Sequence, residues 1–289
     1  MYLGACTKGA NKNSLREQPF SNVKAMQRAY SLKASYMTVL VRKLFNQEKV
    51  VSFVEARELK EKTLEQILWE RFEPFFGMNV QQISGKIGYQ INTSNKSTIA
   101  NMVSHILGIS GTKLNDIEEF AKANIQFKTI RLEPNGFPKE SMSFENIDFG
   151  RWLEDDWEES QVREKFETTK FLFVVFQYDE SKNENPNRVP YFKTIKLWNM
   201  PEMVIENELK DVWVEVRKIL VEGVQLIEKG NRVYNNLPKS SFNGVVHLRP
   251  KARDGSDKTR LPDGQYITRQ CYWLDRKYIA KILSESELQ

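Results

Sequence analysis

The chain has few of the residues that build metal sites and disulfides. Its 289 residues include only two cysteines and two histidines. Cys6 and Cys271 lie far apart in the sequence and have no partners at zinc-ligand spacing, so we do not expect a zinc site. The low cysteine content is typical of a protein from a reducing compartment. No apolar run approaches the roughly 20 residues of a membrane-spanning helix, and residues 1–14 do not resemble a signal sequence. We therefore expect a cytoplasmic protein that has no membrane partner.

A large excess of one charge is also missing. The 43 basic and 38 acidic residues leave a net charge of +5, and the isoelectric point is near 9.0. Such a surplus is compatible with binding a polyanion but does not establish it. The length allows one large domain or two modest ones, and either could bury a substantial core.

Hydrophobic periodicity predicts helices and strands in mixed order. A spacing of three and four residues predicts a helix over residues 21–44 and further helices at 63–72, 99–107, 203–221 and 277–283, whereas residues 1–20 are expected to be irregular. Apolar runs predict strands at 125–132, 171–178, 191–198, 245–248 and 271–274, with a strand over 141–149 beside the first of these. We expect an arm with a helical extension over residues 1–77 and one compact α/β domain over 78–289.

The stretch from residue 115 to 132 combines an acidic turn with a short apolar strand. The turn contains Asp116, Glu118 and Glu119, and the strand carries Lys128. An acid followed by E-x-K on a strand is typical of nucleases that place carboxylates and a lysine around Mg²⁺ and a phosphate. Here the glutamate position of E-x-K is Gln126. From these residues alone, a damaged nuclease site and an ordinary core strand with a solvated lysine both stay open.

Several short motifs follow one another in a specific order. They are K-S-T-I-A-N-M-V-S at 96–104, Q-F-K at 126–128, L-W-N-M-P at 197–201, R-P-K-A at 249–252 and T-R at 268–269. In this order they resemble the MutH family of GATC-directed endonucleases, over about residues 78–283. Residues 6–11 and 24–29 are similar, more narrowly, to the carboxy-terminal half of the Sau-three-A branch, whose members carry two MutH-like halves in tandem.

The resemblance implies a MutH-like restriction-endonuclease fold, a mixed α/β fold with a central mixed β-sheet flanked by helices and an amino-terminal helical extension. Carried over by position, the family's three acids become Ser104, Glu119 and Gln126, its lysine becomes Lys128, and Lys96 is adjacent. One carboxylate of three remains, so the resemblance implies a degenerate site that binds no metal, or Glu119 alone as a ligand. Mg²⁺ would be needed only if nuclease activity remains, with Asp116 or Glu118 as a substitute acid.

The family's R-x-K motif contacts bases, which assigns base readout to Arg249 and Lys251. An arginine fork matches guanine O6 and N7, and lysine reaches the same acceptors. Trp273 falls near the position of the family tyrosine that senses adenine methylation, and His247 is expected in the core or at an edge. The complete predicted DNA-binding set is Arg249, Lys251, Arg253, Lys258, Arg260, Arg269 and Trp273, with Lys8, Lys12, Arg16, Lys24 and Arg28 as phosphate contacts. A solvated basic hairpin is the alternative interpretation.

The expected function is that of a catalytically silent effector domain of a type II restriction endonuclease. Its expected partners are duplex DNA containing GATC and an amino-terminal catalytic half of the same polypeptide, and binding is expected to need no cofactor. One alternative is an active, Mg²⁺-dependent GATC endonuclease or nickase that uses Glu119 and Lys128. A third interpretation is a protein-interaction domain that meets its partner through the acidic residues 154–159.

Overall fold

A computed structural model of the chain describes residues 3–8, 14–45, 51–89, 98–109, 114, 117–230 and 232–285. Helices and strands alternate along these residues, which confirms the mixed α/β class. The chain forms two compact units. The first comprises Met1–Ile130, Thr168–Asp179 and Pro186–Asn199, and the second Arg131–Glu167, Glu180–Asn185 and Met200–Gln289. These units do not follow the predicted boundary between residues 77 and 78, which stays a prediction about domains.

The described strands are β1 (Leu3–Thr7), β2 (Leu15–Gln18), β3 (Ser21–Met26), β4 (Arg28–Leu32), β5 (Ile125–Leu132), β6 (Met142–Asn146), β7 (Lys170–Gln177), β8 (Tyr191–Trp198), β9 (Leu226–Lys229), β10 (Arg232–Asn235), β11 (Val246–Pro250), β12 (Lys258–Arg260), β13 (Tyr266–Thr268) and β14 (Gln270–Leu274). The described helices are α1 (Ala34–Phe45), α2 (Glu58–Glu61), α3 (Leu64–Phe72), α4 (Val80–Ile87), α5 (Thr98–Ile106), α6 (Glu118–Ala123), α7 (Phe149–Glu154), α8 (Gln161–Thr168), α9 (Glu202–Val204), α10 (Lys210–Glu222) and α11 (Arg276–Ser284). A π-helical turn, Ile205–Leu209, joins α9 to α10. In the described chain, no helix has the length and apolarity needed to cross a membrane.

The amino-terminal segment corrects the predicted helix over residues 21–44. Only its second part is helical, as α1, whereas its first part forms β3 and β4. β3 pairs with β2 and β4 with β1, both antiparallel, so the expected irregular arm contains strands as well. Apolar residues separated by three or four positions do not by themselves distinguish a short helix from two short strands. Antiparallel pairing decided the outcome here, because β3 pairs with the adjacent β2 and β4 with the more distant β1.

The core of the first unit is the sheet β5–β7–β8 with helices packed against it. β7 is buried along almost its whole length, which accounts for its unbroken apolar run, and it pairs antiparallel with β8. Thr63 caps α3 through a reciprocal capping box with Gln66, so this helix begins where its sequence predicts. Side chains from α5, α6 and β5 all enter this one hydrophobic cluster.

The second unit contains the sheet β11–β14–β6 and two small antiparallel ribbons, β9–β10 and β12–β13. The strand predicted over residues 141–149 exists as β6, but its expected place beside β5 is wrong because β6 pairs with β14. Aromatic packing accounts for this partner. The ring of Phe144 on β6 stacks on that of Tyr272 on β14, with centroids 5.5 Å apart, and Phe166 of α8 packs against both.

Candidate functional site

A sharp turn joins α6 to β5, the stretch to which the resemblance assigns two of the acid positions. Asn124 ends α6 in the left-handed conformation, with φ of 54°. Its side-chain nitrogen donates hydrogen bonds to the Thr168 carbonyl at 3.0 Å and the Thr168 hydroxyl at 3.2 Å. Asparagine tolerates this conformation because its short amide can bond locally. Glu119 lies in the first turn of α6, before this bend, and Gln126 is the second residue of β5, after it.

Glu119 is buried, and its carboxylate is already hydrogen-bonded within the protein. One oxygen accepts a hydrogen bond from the Ser52 hydroxyl, and the other accepts one from the backbone N–H of Phe53 at 3.4 Å. The segment that donates these bonds is held in place because the Glu118 N–H donates to the Val51 carbonyl at 3.1 Å. The one carboxylate at the predicted acid positions therefore has both oxygens hydrogen-bonded within the protein.

The other predicted site residues, Ser104, Gln126 and Lys128, carry no negative charge. Ser104 is buried on α5, and its hydroxyl donates to the Ala100 carbonyl of the same helix at 3.1 Å. Gln126 is neutral, and its side-chain oxygen is buried with no hydrogen-bond partner among the residues described. Lys128 is half-buried on β5 and has interaction partners of its own. Lys96 and Asp116 lie outside the described residues.

These donors do not fit Mg²⁺. The ion favours carboxylate oxygens and gives up its water reluctantly, whereas this set has one carboxylate, already bonded, and one neutral amide oxygen. In the part of the chain that the structure describes, no three histidine, cysteine or acidic side chains are grouped to hold a metal. Whether any activity of the chain needs Mg²⁺ stays a prediction.

Arg249 lies at the end of β11 with its side chain exposed. Its guanidinium carbon is 5.1 Å from the centre of the Trp273 ring, and the indole N–H of Trp273 donates to the Arg249 carbonyl at 3.3 Å. This packing orients the guanidinium without neutralising it, since no acid pairs with Arg249 in the described structure. Trp273 lies directly opposite His247, a buried residue whose ring nitrogens have no hydrogen-bond partner in the described chain and whose pKa is lowered by burial.

Between residues 249 and 269, three of the predicted DNA-binding cations are bonded within the protein. The Lys251 ammonium donates to the Phe144 carbonyl at 2.6 Å. Arg253 pairs with Asp254 at 3.1 Å, and Arg269 with Asp257 at 3.0 Å. The Arg253 backbone N–H, together with the Arg269 guanidinium, holds the pKa of Asp257 below its ordinary value. Within the described residues, Lys258 and Arg260 on β12 are exposed and form no ion pair.

The amino-terminal cations lie on the strand pairs of the first unit. Arg16, Lys24 and Arg28 are exposed on β2, β3 and β4, and Lys8 follows β1, where its backbone N–H donates to the Gln27 carbonyl at 2.7 Å. Lys12 lies outside the described residues. Their phosphate contacts stay predictions, and a helix does not present them, contrary to the pattern expected for Lys24 and Arg28.

A hydrogen-bonded network around Glu145, a partly exposed residue of β6, was not anticipated from the sequence. The Tyr272 hydroxyl donates to Glu145 at 2.9 Å, and the Lys165 ammonium donates to the same carboxylate at 2.5 Å. Burial opposes ionisation of Glu145, but these two donors outweigh it and lower its pKa. The signal was available, because adjacent strand residues point to opposite faces, so only one of Tyr272 and Trp273 could face solvent.

The chain is similar in sequence to known DNA mismatch repair and restriction proteins. A model of the family "DNA mismatch repair enzyme MutH" matches residues 111–211. The chain is 35% identical to the type II restriction enzyme Sau3AI of Staphylococcus aureus, in an alignment that covers 97% of this chain and 64% of that enzyme. It is 24% identical to the mismatch repair protein MutH of Actinobacillus pleuropneumoniae, in both serotype 3 (strain JL03) and serotype 5b (strain L20), over 69% of this chain and 85% of each relative. The chain thus spans just under two thirds of the length of Sau3AI.

Proposed function

The chain belongs to the MutH/Sau3AI family of nucleases, and from this premise we propose that it binds duplex DNA containing GATC without cutting it. The observation that carries the proposal is the state of the family's acid positions. Ser104 and Gln126 are neutral there, and Glu119 accepts its hydrogen bonds from Ser52 and Phe53. Phosphodiester hydrolysis of this type needs several anionic oxygens around the metal, and loss of such groups costs orders of magnitude in rate.

DNA binding depends on different residues, and these keep their charge. The exposed Arg249 guanidinium is held over Trp273 and has no acidic partner in the described structure. An arginine in this state is suited to the paired acceptors O6 and N7 of guanine in the major groove. Lys251 is the second candidate for base contact, although it must first leave the Phe144 carbonyl.

In this proposal the chain is an effector domain of a larger restriction endonuclease. The support is that it spans 64% of Sau3AI, a type II restriction enzyme. The cutting half would be an amino-terminal nuclease domain of the same polypeptide, acting in the cytoplasm. Binding of a second GATC copy by the silent domain would then regulate the active one, and this binding would need no cofactor.

The test measures binding and cleavage of the purified chain in parallel. A GATC duplex and a duplex of the same composition in scrambled order are incubated with the protein, with and without Mg²⁺. We expect tighter retention of the GATC duplex under both conditions and no cleavage above the background of a protein-free control. Equal affinity for both duplexes would argue against base readout, and cleavage that requires Mg²⁺ would overturn the claim of silence.

One observation favours a second candidate, a Mg²⁺-dependent GATC endonuclease or nickase. Glu119 and Lys128 are retained, and the buried side-chain oxygen of Gln126 accepts no hydrogen bond from the described residues. Any cleavage seen should then disappear in Glu119→Gln and Lys128→Ala. Cleavage that survives both substitutions would come from a contaminating nuclease.

A further inference from the structure

The ribbon β12–β13 presents one face to solvent. Lys258 pairs with Thr268, Thr259 with Ile267 and Arg260 with Tyr266. Residues directly opposite each other in an antiparallel pair share a face, as do residues two apart along a strand, so Lys258, Arg260 and Tyr266 lie on the same side. The exposure agrees with this geometry, because Tyr266 is 59% exposed whereas Ile267 on the other face is 3% exposed.

Both ends of the ribbon are anchored to the second unit. At its tip, Leu261 is buried, its N–H donates to the Gln265 carbonyl at 2.8 Å, and Gly264 has the positive φ of 90° that the turn requires. Asp263 accepts a hydrogen bond from the Val224 N–H at 3.3 Å. At the base, the backbone N–H of Lys251, the residue after β11, donates to the Arg269 carbonyl at 2.9 Å. The exposed face is thus presented by a supported backbone and not by a free loop.

The charges on this face differ from those beside it. Arg253 and Arg269 each pair with an aspartate, whereas Lys258 and Arg260 have no acid partner in the described chain. The neighbouring ribbon β9–β10 has mixed charge, since Glu228 precedes Lys229, whose ammonium lies 5.9 Å from the centre of the Tyr234 ring. Two cations without partners and an exposed phenol make the face of β12–β13 suited to an anionic polymer.

We propose that Lys258, Arg260 and Tyr266 form a backbone-binding surface that contacts the phosphates and sugars of duplex DNA and supplies affinity without sequence preference. Arg249 supplies the preference for GATC. The proposal deepens the proposed function and rests on it. Each contact between a basic side chain and a phosphate releases counterions condensed on the DNA, and so adds to the salt dependence of binding. Base contacts add instead to the difference in affinity between sequences.

The test is the slope of log affinity against log salt concentration, measured for the GATC and the scrambled duplex. In Lys258→Ala/Arg260→Ala we expect the slope to flatten by about 2 on both duplexes, since each lost phosphate contact contributes about 0.9. The ratio of the two affinities should not change. In Tyr266→Ala both affinities should fall by the same factor while the slope is kept, because tyrosine carries no charge.

The control removes the same net charge elsewhere. Lys277→Ala/Lys281→Ala takes two exposed lysines from α11 and should leave the slope close to that of the wild type. An unchanged slope in the ribbon variant, or one no flatter than in this control, would overturn the proposal. A loss of GATC preference in the ribbon variant as large as that in Arg249→Ala would overturn it too, by showing that the ribbon contacts bases. If the wild type itself shows no GATC preference, the proposed function fails, while the slopes still decide the role of the ribbon.

Discussion

The two regions that correspond to the family's chemistry differ in what has become of their charges. At the predicted acid positions, Ser104 and Gln126 are neutral, and Glu119 is hydrogen-bonded by Ser52 and Phe53. In the basic segment, Arg249, Lys258 and Arg260 are exposed and unpaired in the described structure. The difference reflects how each activity uses charge. Metal-dependent hydrolysis needs its ligands together, whereas phosphate binding accumulates one contact at a time and survives the loss of some.

The largest effect should be a loss of folding stability when a core residue next to Glu119 is truncated. Phe120, next to Glu119, is 1% exposed and packs edge-on against Phe53 at 5.9 Å. We expect Phe120→Ala to lower the free energy of unfolding by about 3–5 kcal/mol in urea titrations, because it opens a cavity. Phe20, which is 98% exposed, provides the control, and Phe20→Ala should change stability by less than about 0.5 kcal/mol. Equal effects of the two substitutions would contradict the assignment of Phe120 to the core.

Restoring a family acid should cost stability and not create a metal site. In Gln126→Glu a carboxylate enters a place where the present oxygen has no donor among the described residues. We expect a loss of about 1–3 kcal/mol at pH 7. Because burial raises the pKa of such a carboxylate, the loss should shrink as the pH falls and the group is protonated.

Thermal unfolding of Gln126→Glu with and without Mg²⁺ checks the second part of this prediction. Neither the variant nor the wild type should gain stability from the ion. Gln81→Glu, at an exposed position of α4, is the matched control. A rise in melting temperature with Mg²⁺ that is specific to Gln126→Glu would show that the position still completes a metal site.

The basic region contains one arginine without an acidic partner in the described structure, Arg249, and one that is paired, Arg253. Arg249→Ala should reduce the preference for GATC over a scrambled duplex by about 1–3 kcal/mol, measured as the ratio of two dissociation constants. Arg253→Ala removes the same charge from a side chain already paired with Asp254, and it should leave that ratio nearly unchanged. A similar loss in both variants would mean that general charge, and not the placement of Arg249, determines the preference.

The smallest effect concerns the hydrogen bonds to Glu145. Tyr272→Phe removes one hydrogen bond to Glu145 and should lower the free energy of unfolding by about 1 kcal/mol at pH 7. Since the pKa of Glu145 is lowered, its stabilisation is present above its ordinary value of 4.5 and is lost as the pH falls through the folded-state pKa. Urea titrations between pH 7 and pH 3 should therefore show a weaker acid dependence in the variant. Tyr266→Phe, which alters an exposed phenol, should match the wild type throughout.

Much of the architecture followed from local patterns. The apolar runs predicted β5 and β8 at the observed residues, and the capping residues of α3 marked its start. The order of short motifs was sufficient to indicate the family, and the neutral residues Ser104 and Gln126 at the predicted acid positions were visible without coordinates. These features depend on a few neighbouring residues, so the linear sequence contains them.

Only the tertiary structure decided the pairings between distant segments. It placed β6 beside β14, paired β4 with β1, and brought Ser52 to Glu119. It also separated Arg249, Lys258 and Arg260, which have no acid partner in the described residues, from Arg253 and Arg269, which do. The sequence by itself determined which side chains are present at the acid and base positions. Which of these groups are already bonded depends on the folded backbone, which brings Ser52 to Glu119 from 67 residues away and sets the conformation in which Arg253 meets its sequence neighbour Asp254.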